Sequence, residues 1–308
     1  MGKELPLTKL EVGLGFNPSL REGTSVFLPR LAFAVLLGLT SPSWAETSAE
    51  PPVAVVSIAK LADLMHLGAL FEVLREEGLA HGETLETDMF PSGGGAEWRS
   101  TVADIYDIRL LTARFNAALR FELASHPEAM AQIVGFYATD LGQKVVTLEV
   151  AARRAFIDTA TEEAARVAAD DRAVARDPKH ALIVRMIEAS DLLEMNVAGA
   201  LSGSLAFMQG MSETGVYGTA MPEEQLLADV WAQEEQVRAD TSSWLYAYLG
   251  LAYDPLSEAE LLAYVDFLES PAGQRLNAAL FVAFEKVFSQ ISHDLGQAAG
   301  IAMQGRDI

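Results

Sequence analysis

The sequence predicts an all-α protein of about eight helices, forming two homologous helical repeats packed into one pseudo-symmetric body. Apolar residues recur every three or four positions from 54 to 299, which places them on one face of each helix, and no sustained alternation of β-branched residues indicates a strand. Glycine and proline clusters fall between these periodic runs. A short motif at 136–144 is found again at 267–275, which indicates a repeat.

The first half of the chain contains four predicted helices. The run Pro-Ser-Gly-Gly-Gly at 91–95 breaks the helical pattern between the first helix and the second, and Thr139 forms a corner between the third and the fourth. We therefore expect helices over 54–79, 96–123, 126–138 and 140–172.

Four more helices are predicted in the second half. The fifth follows Asp177-Pro178, and the sixth follows the glycine-containing segment 215–222. Asp254-Pro255 precedes the last two, which meet at Ser270. We expect these helices over 179–212, 222–252, 257–268 and 270–299, and divide the chain into a leader at 1–45, a first repeat at 46–175 and a second at 176–308. Whether the repeats form one domain or two stays open.

The repeated motif reads FYATDLGQK at 136–144 and FLESPAGQR at 267–275. Thr139 and Ser270 lie where a helix requires an N-cap hydroxyl, and Gly142 and Gly273 permit another helix to approach the first turn closely. Upstream, SHPE at 125–128 and SEAE at 257–260 both match the Ser-x-x-Glu capping box. The pairing also extends to Trp98 with Trp231, and to 62–64 with 190–192, when small gaps are allowed.

Each motif ends in a cation near a helix N-terminus, which the helix dipole disfavours, so a partner is expected for Lys144 and for Arg275. The partner is either an internal carboxylate, such as Glu128 or Glu260, or an anionic ligand held by free backbone N–H groups. Together with Tyr137, these two cations are the candidate binding residues.

The motif, the upstream tryptophan and the capping-box serine resemble the bacterial domain of unknown function family 2059. The second copy, 225–293, resembles the family more closely than the first. The resemblance implies an exported all-helical protein and carries no activity over to this chain.

The first 45 residues resemble a secretory leader. Arg30 precedes the apolar run LAFAVLLGL at 31–39, and the small residues Ser43 and Ala45 precede the expected cleavage site after Ala45. The run is short for a membrane helix, which needs about 20 residues, although an uncleaved anchor is the alternative. The polar segment at 1–25 is unusually long for the part of a leader that precedes the apolar run, so an alternative interpretation is that translation starts at Val26.

Composition excludes several classes of function. The chain has 308 residues, 43 acidic against 22 basic residues and a net charge of −21, which argues against nucleic acid as a partner. It contains no cysteine, which excludes disulfides and thiolate metal sites.

The five histidines of the chain form no HExxH motif, and we predict no metal, no cofactor and no catalytic residue. His66 is expected to be a core or boundary residue, and the acidic segment 81–88 a solvated loop rather than a cation site.

These observations predict an exported soluble protein that acts as a periplasmic interaction or small-ligand-binding module. Its partner is an unidentified protein or small molecule, a homodimer is compatible with the sequence, and no stable membrane span is expected after cleavage. The alternative is a cell-envelope hydrolase whose site is assembled from scattered carboxylates and a histidine.

Overall fold

The computed structural model describes residues 52–90, 94–218 and 222–305, and in these ranges the chain is helical without strands, which confirms the all-α prediction. The leader at 1–45 lies outside the described residues. Thirteen helices are described: α1 Pro52–Leu64, α2 Leu67–Met89, α3 Gly95–Ile105, α4 Ile108–Leu123, α5 Pro127–Tyr137, α6 Asp140–Ala155, α7 Thr159–Ala175, α8 Pro178–Ala189, α9 Leu192–Glu213, α10 Glu223–Trp231, α11 Glu234–Ala252, α12 Glu258–Glu269 and α13 Pro271–Met303.

The prediction of about eight helices was wrong because five of the predicted helices are each divided in two. His66 and Asp191 adopt left-handed backbone conformations, with φ of 52° and 44°, at two of these breaks. Asp107 and Asp158 cap new helices at two others, where their carboxylates accept hydrogen bonds from backbone N–H groups. Gln233 marks the fifth break, between α10 and α11. None of these breaks contains glycine or proline, the residues on which the sequence prediction relied.

The long helix α13 lies at the centre of the described fold. It packs against α9 and α12 from the second half of the chain and against α3, α4 and α5 from the first. Side chains along almost its whole length are buried, from Ala272 to Ala302. One hydrophobic core therefore contains residues of both predicted repeats, from Ile58 to Ala302.

The two corners of the repeated motif have matching cap geometry. Thr139 Oγ1 and Ser270 Oγ each accept a hydrogen bond of 3.1 Å, from the N–H of Gly142 and of Gly273 respectively. A Cβ atom on either glycine would lie 2.4 Å or 2.2 Å from a backbone carbonyl oxygen of the preceding helix. The predicted N-caps are confirmed, and so is the need for glycine at 142 and 273. The helix that packs closely against each glycine is the helix that precedes the corner.

The corners also meet in space. Phe136 and Phe267, the first residues of the two motifs, stack with ring centroids 3.8 Å apart and planes 3° apart. Both side chains are half-buried against the core. Each ring belongs to the last turn of the helix before its corner, so the ends of α5 and α12 are in contact there.

Two other predicted correspondences differ between the copies. Ser257 and Glu260 form the expected capping box at α12, but α5 begins at Pro127 with His126 as its N-cap and no side-chain cap, so the predicted box at Ser125 is wrong. Proline at the first helical position moves the start of α5 by one residue, out of the register that a Ser125 box requires. Trp98 is fully buried, whereas Trp231 is 63% exposed.

No described helix combines the length and the apolar character that crossing a bilayer requires.

Candidate functional site

A cavity of about 510 Å³ lies between one face of α2 and one face of α7. Its lining residues on each helix recur at helical spacing, and the ends of α3 and α6 and parts of α11 and α13 complete it. The lining residues are Leu74, Glu77, Gly78, Ala80, His81, Thr84, Asp88, Tyr106, Arg153, Phe156, Ile157, Thr159, Glu162, Glu163, Arg166, Trp244 and Phe288. Its size is within the range of small-molecule sites.

A buried ion pair forms one side of this cavity. Arg153 from α6 is 5% exposed, and its Nε and Nη2 atoms donate to the two carboxylate oxygens of Glu77 at 2.6 Å and 2.7 Å. The guanidinium carbon also lies 5.5 Å from the ring centroid of Trp244. This bidentate geometry fixes both side chains, so the polar wall is rigid.

Aromatic rings line the deeper part of the cavity. Trp244 stacks on Tyr248 at 4.8 Å, and Phe156 meets Trp244 edge-on at 5.8 Å. Tyr106 is buried directly against Gly78, because any Cβ there would lie 2.2 Å from the tyrosine ring. Glycine at 78 is thus needed for the position of this ring.

His81 lines the cavity one turn beyond Glu77 on α2. Burial lowers the pKa of His81 to about 4, because the protonated ring would lose its hydration. The imidazole is therefore neutral near pH 7, where it presents one donor and one acceptor nitrogen.

A second ion pair lies on the α7 side of the cavity. Arg166 donates to Glu162 at 2.6 Å and also to the hydroxyl of Ser243 on α11, so it joins α7 to α11. Asp88 and Glu163 are exposed and line the same cavity, which places them at its opening.

Another polar cluster lies one helical turn from Arg153 along α6. The carboxylate of Glu149 accepts hydrogen bonds from the phenols of Tyr253 at 2.7 Å and Tyr264 at 3.0 Å, and its backbone carbonyl accepts one from Tyr248. Burial raises the pKa of Glu149 to about 7, and the two phenol hydrogen bonds oppose that rise. This cluster joins α6 to α11 and α12.

The structure does not bring the three predicted binding residues to the cavity. Tyr137 is buried, and its phenol interacts with that of Tyr264. Lys144 forms an ion pair of 2.8 Å with Glu260, and this contact, together with hydrogen bonds from Ser257, lowers the pKa of Glu260 to about 2. The internal partner expected for Lys144 is thus present, and it comes from the other copy of the motif.

Arg275 differs from Lys144. It is half-buried beside His126, where its charge helps burial to lower the pKa of the imidazole, and it forms no ion pair with another described residue. The predicted choice between an internal carboxylate and an anionic ligand therefore stays open for Arg275.

The segment 81–88 was wrongly predicted as a loop. It lies inside α2, and two of its residues, His81 and Asp88, line the cavity. In the described ranges no group of three or more histidine or acidic side chains is arranged to hold a metal ion. His66 is half-buried as expected, with its Nε2 atom 3.1 Å from the Gln143 amide oxygen.

Sequence reasoning missed the cavity itself. The helical spacing of Leu74, Glu77, His81 and Asp88 was readable, but it also fits an ordinary solvated helix face. A charged residue at 153, within an apolar stripe, is the signal that would have indicated a buried ion pair.

Comparison with known proteins gives one result. Residues 125–171 match the family described as "Uncharacterized protein conserved in bacteria (DUF2059)", which confirms the family predicted from the motif. The match covers the corner of the first copy, whereas the sequence analysis placed the closer resemblance in 225–293. No curated protein and no solved structure matches the chain.

Proposed function

We propose that this protein, whose residues 125–171 match the model of a bacterial family of uncharacterised proteins, binds a small organic molecule in the cavity between α2 and α7. The observation that carries the proposal is a cavity of about 510 Å³ whose deep wall is aromatic and whose polar groups converge from four helices. Aromatic surface beside fixed polar groups is a feature of small-molecule sites.

The arrangement of the polar groups suits binding more than surface solvation. The Arg153–Glu77 pair is held in bidentate geometry, and the neutral ring of His81 adds a polar group without a charge to this wall. Burial of an apolar ring system against Phe156 and Trp244 would supply most of the affinity, at roughly 25 cal/mol per Å² of apolar area.

The test uses 2-naphthalenemethanol, an uncharged two-ring alcohol, as the probe in isothermal titration calorimetry. Ala80 is exposed and lines the cavity, so Ala80→Trp should fill the opening and abolish binding. Ala131 is exposed on α5, away from the cavity, and Ala131→Trp is the matched control that should bind as the native protein does. Equal binding by both variants would place the probe elsewhere and overturn the proposal.

We also propose that the protein is exported and acts in the periplasm. The basic residue, apolar run and small-residue exit in the first 45 residues support this. Expression of the full chain in a Gram-negative host should give a periplasmic form whose intact mass is that of a chain beginning at Glu46. A precursor that keeps residues 31–45 in the membrane fraction would favour the uncleaved anchor instead.

The two halves are further proposed to be homologous repeats. The equal caps at Thr139 and Ser270 and the stacked pair Phe136 and Phe267 support this relation. The different environments of the paired tryptophans and the single capping box limit it to the region near the corners.

The hydrolase alternative stays a prediction. His81 is the histidine that lies in the cavity beside carboxylates, so His81→Gln separates the two functions. Binding of the uncharged probe should persist in this variant, whereas a hydrolase would lose turnover of a naphthyl ester.

A further inference from the structure

The charges around the cavity indicate which class of small molecule it takes. Four carboxylates line it, from Glu77, Asp88, Glu162 and Glu163, against the two guanidinium groups of Arg153 and Arg166. The whole chain carries a net charge of −21, so its long-range field adds to this local excess of negative charge.

Both cations are already matched inside the protein. Arg153 uses two of its nitrogens on Glu77, and Arg166 pairs with Glu162 at 2.6 Å. The charge of each guanidinium group is therefore already compensated, so an anionic ligand gains little from it unless it displaces Glu77 or Glu162, which would leave that carboxylate unpaired in a half-buried wall.

Two carboxylates of the lining have no such match. Neither Asp88 nor Glu163 forms an ion pair with another described residue, and both are exposed at the opening. His81 adds no positive charge near pH 7, because burial keeps the ring neutral. The opening therefore carries negative charge without an ion-pair partner. In the interior, the charges of Arg153 and Glu77 offset each other beside aromatic rings.

We propose that the ligand is an organic cation with a flat apolar body, which contacts Phe156 and Trp244, and a charged end that faces the acidic opening lined by Asp88 and Glu163. This inference rests on the proposed binding function and adds the charge of the ligand to it. Charge complementarity at the opening selects the cation, and burial of the rings supplies the remaining affinity.

The test compares three probes of nearly equal shape: 2-naphthylmethylammonium, 2-naphthalenemethanol and 2-naphthoate. Calorimetric titration of the full chain at low ionic strength should give the ammonium probe about tenfold higher affinity than the alcohol, and the carboxylate probe the lowest. The advantage of the cation should shrink at high ionic strength, because the carboxylates at the opening are exposed.

The double variant Asp88→Asn with Glu163→Gln should reduce the affinity for the ammonium probe to the affinity that the native protein has for the alcohol probe. The matched control is Asp170→Asn with Glu83→Gln, which neutralises exposed carboxylates on the same two helices outside the cavity. This control should retain most of the preference for the cation.

The outcomes separate the two proposals. Equal affinities for the three probes, tightest binding of the carboxylate, or the same loss in both double variants would overturn the cationic class. Binding of the alcohol that Ala80→Trp abolishes would still support the cavity as the site. Absence of binding by all three probes would overturn both proposals.

Discussion

Neutralising Glu149 should remove a large part of the pH dependence of stability. Its carboxyl pKa is raised from 4.5 to about 7, mainly by burial, which corresponds to about 3 kcal/mol of free energy. Since the folded state binds this proton more tightly than the unfolded state, stability falls as the pH rises from about 4.5 to about 7. Above about pH 7 the carboxylate is ionised in the folded state as well, and the loss of stability is complete.

The variant Glu149→Gln keeps an oxygen that can accept from Tyr253 and Tyr264 and has no charge to desolvate. Urea unfolding at about pH 5 and about pH 8 measures the free energy of unfolding of both proteins. Relative to the variant, the native protein should lose about 2.5 kcal/mol between these two conditions, because a small part of the loss has already occurred at about pH 5.

Glu83→Gln is the control, because Glu83 is exposed on α2 and its substitution should leave the pH dependence as it is. An unchanged pH dependence in Glu149→Gln would refute the reasoning. So would a carboxyl carbon of Glu149 that titrates near 4.5 by NMR.

Two further predictions concern packing. Gly142→Ala and Gly273→Ala should each destabilise the protein by about 2 kcal/mol, because the new methyl group would lie 2.4 Å and 2.2 Å from a backbone oxygen. Gly135→Ala is the control, since nothing lies near this position, and it should stabilise α5 by about 0.5–1 kcal/mol. Equal changes in the thermal unfolding of all three variants would contradict the close approach at the two corners. Arg153→Met should lower the free energy of unfolding, measured with urea, by about 3 kcal/mol, because it leaves Glu77 without its partner. Adding Glu77→Gln to this variant should restore more than half of the loss. Equal stability of the single and double variants would contradict a buried ion pair between the two residues.

The helical class was predictable because the apolar period persists through almost every element. The corner caps were also predictable, since Thr139 and Ser270 are capping residues followed by glycine three positions later. The capping aspartates at 107 and 158 carry a readable signal, but each lies within a continuous apolar period that favours one long helix. His66 and Asp191, the left-handed residues at two other breaks, are neither glycine nor proline, so a search for those two residue types does not find them.

The cavity could not be predicted for a different reason. Glu77 and Arg153 are far apart in sequence, and only the packing of α2 against α6 brings them to 2.6 Å. In the motif that the sequence emphasised, Lys144 forms an ion pair with Glu260, which lies in the other copy. Repetition in a sequence thus indicated where helices turn, whereas the candidate site depends on contacts between helices distant in the chain.

A crystal structure of the protein soaked with 6-bromo-2-naphthalenemethanol would show where the probe binds, since the anomalous signal of bromine locates it without assumptions about its fit. We expect a bromine peak inside the cavity, beside Phe156 and Trp244, in the native protein and no such peak in Ala80→Trp. A peak confined to another surface, or the same peak in both proteins, would contradict the proposed site.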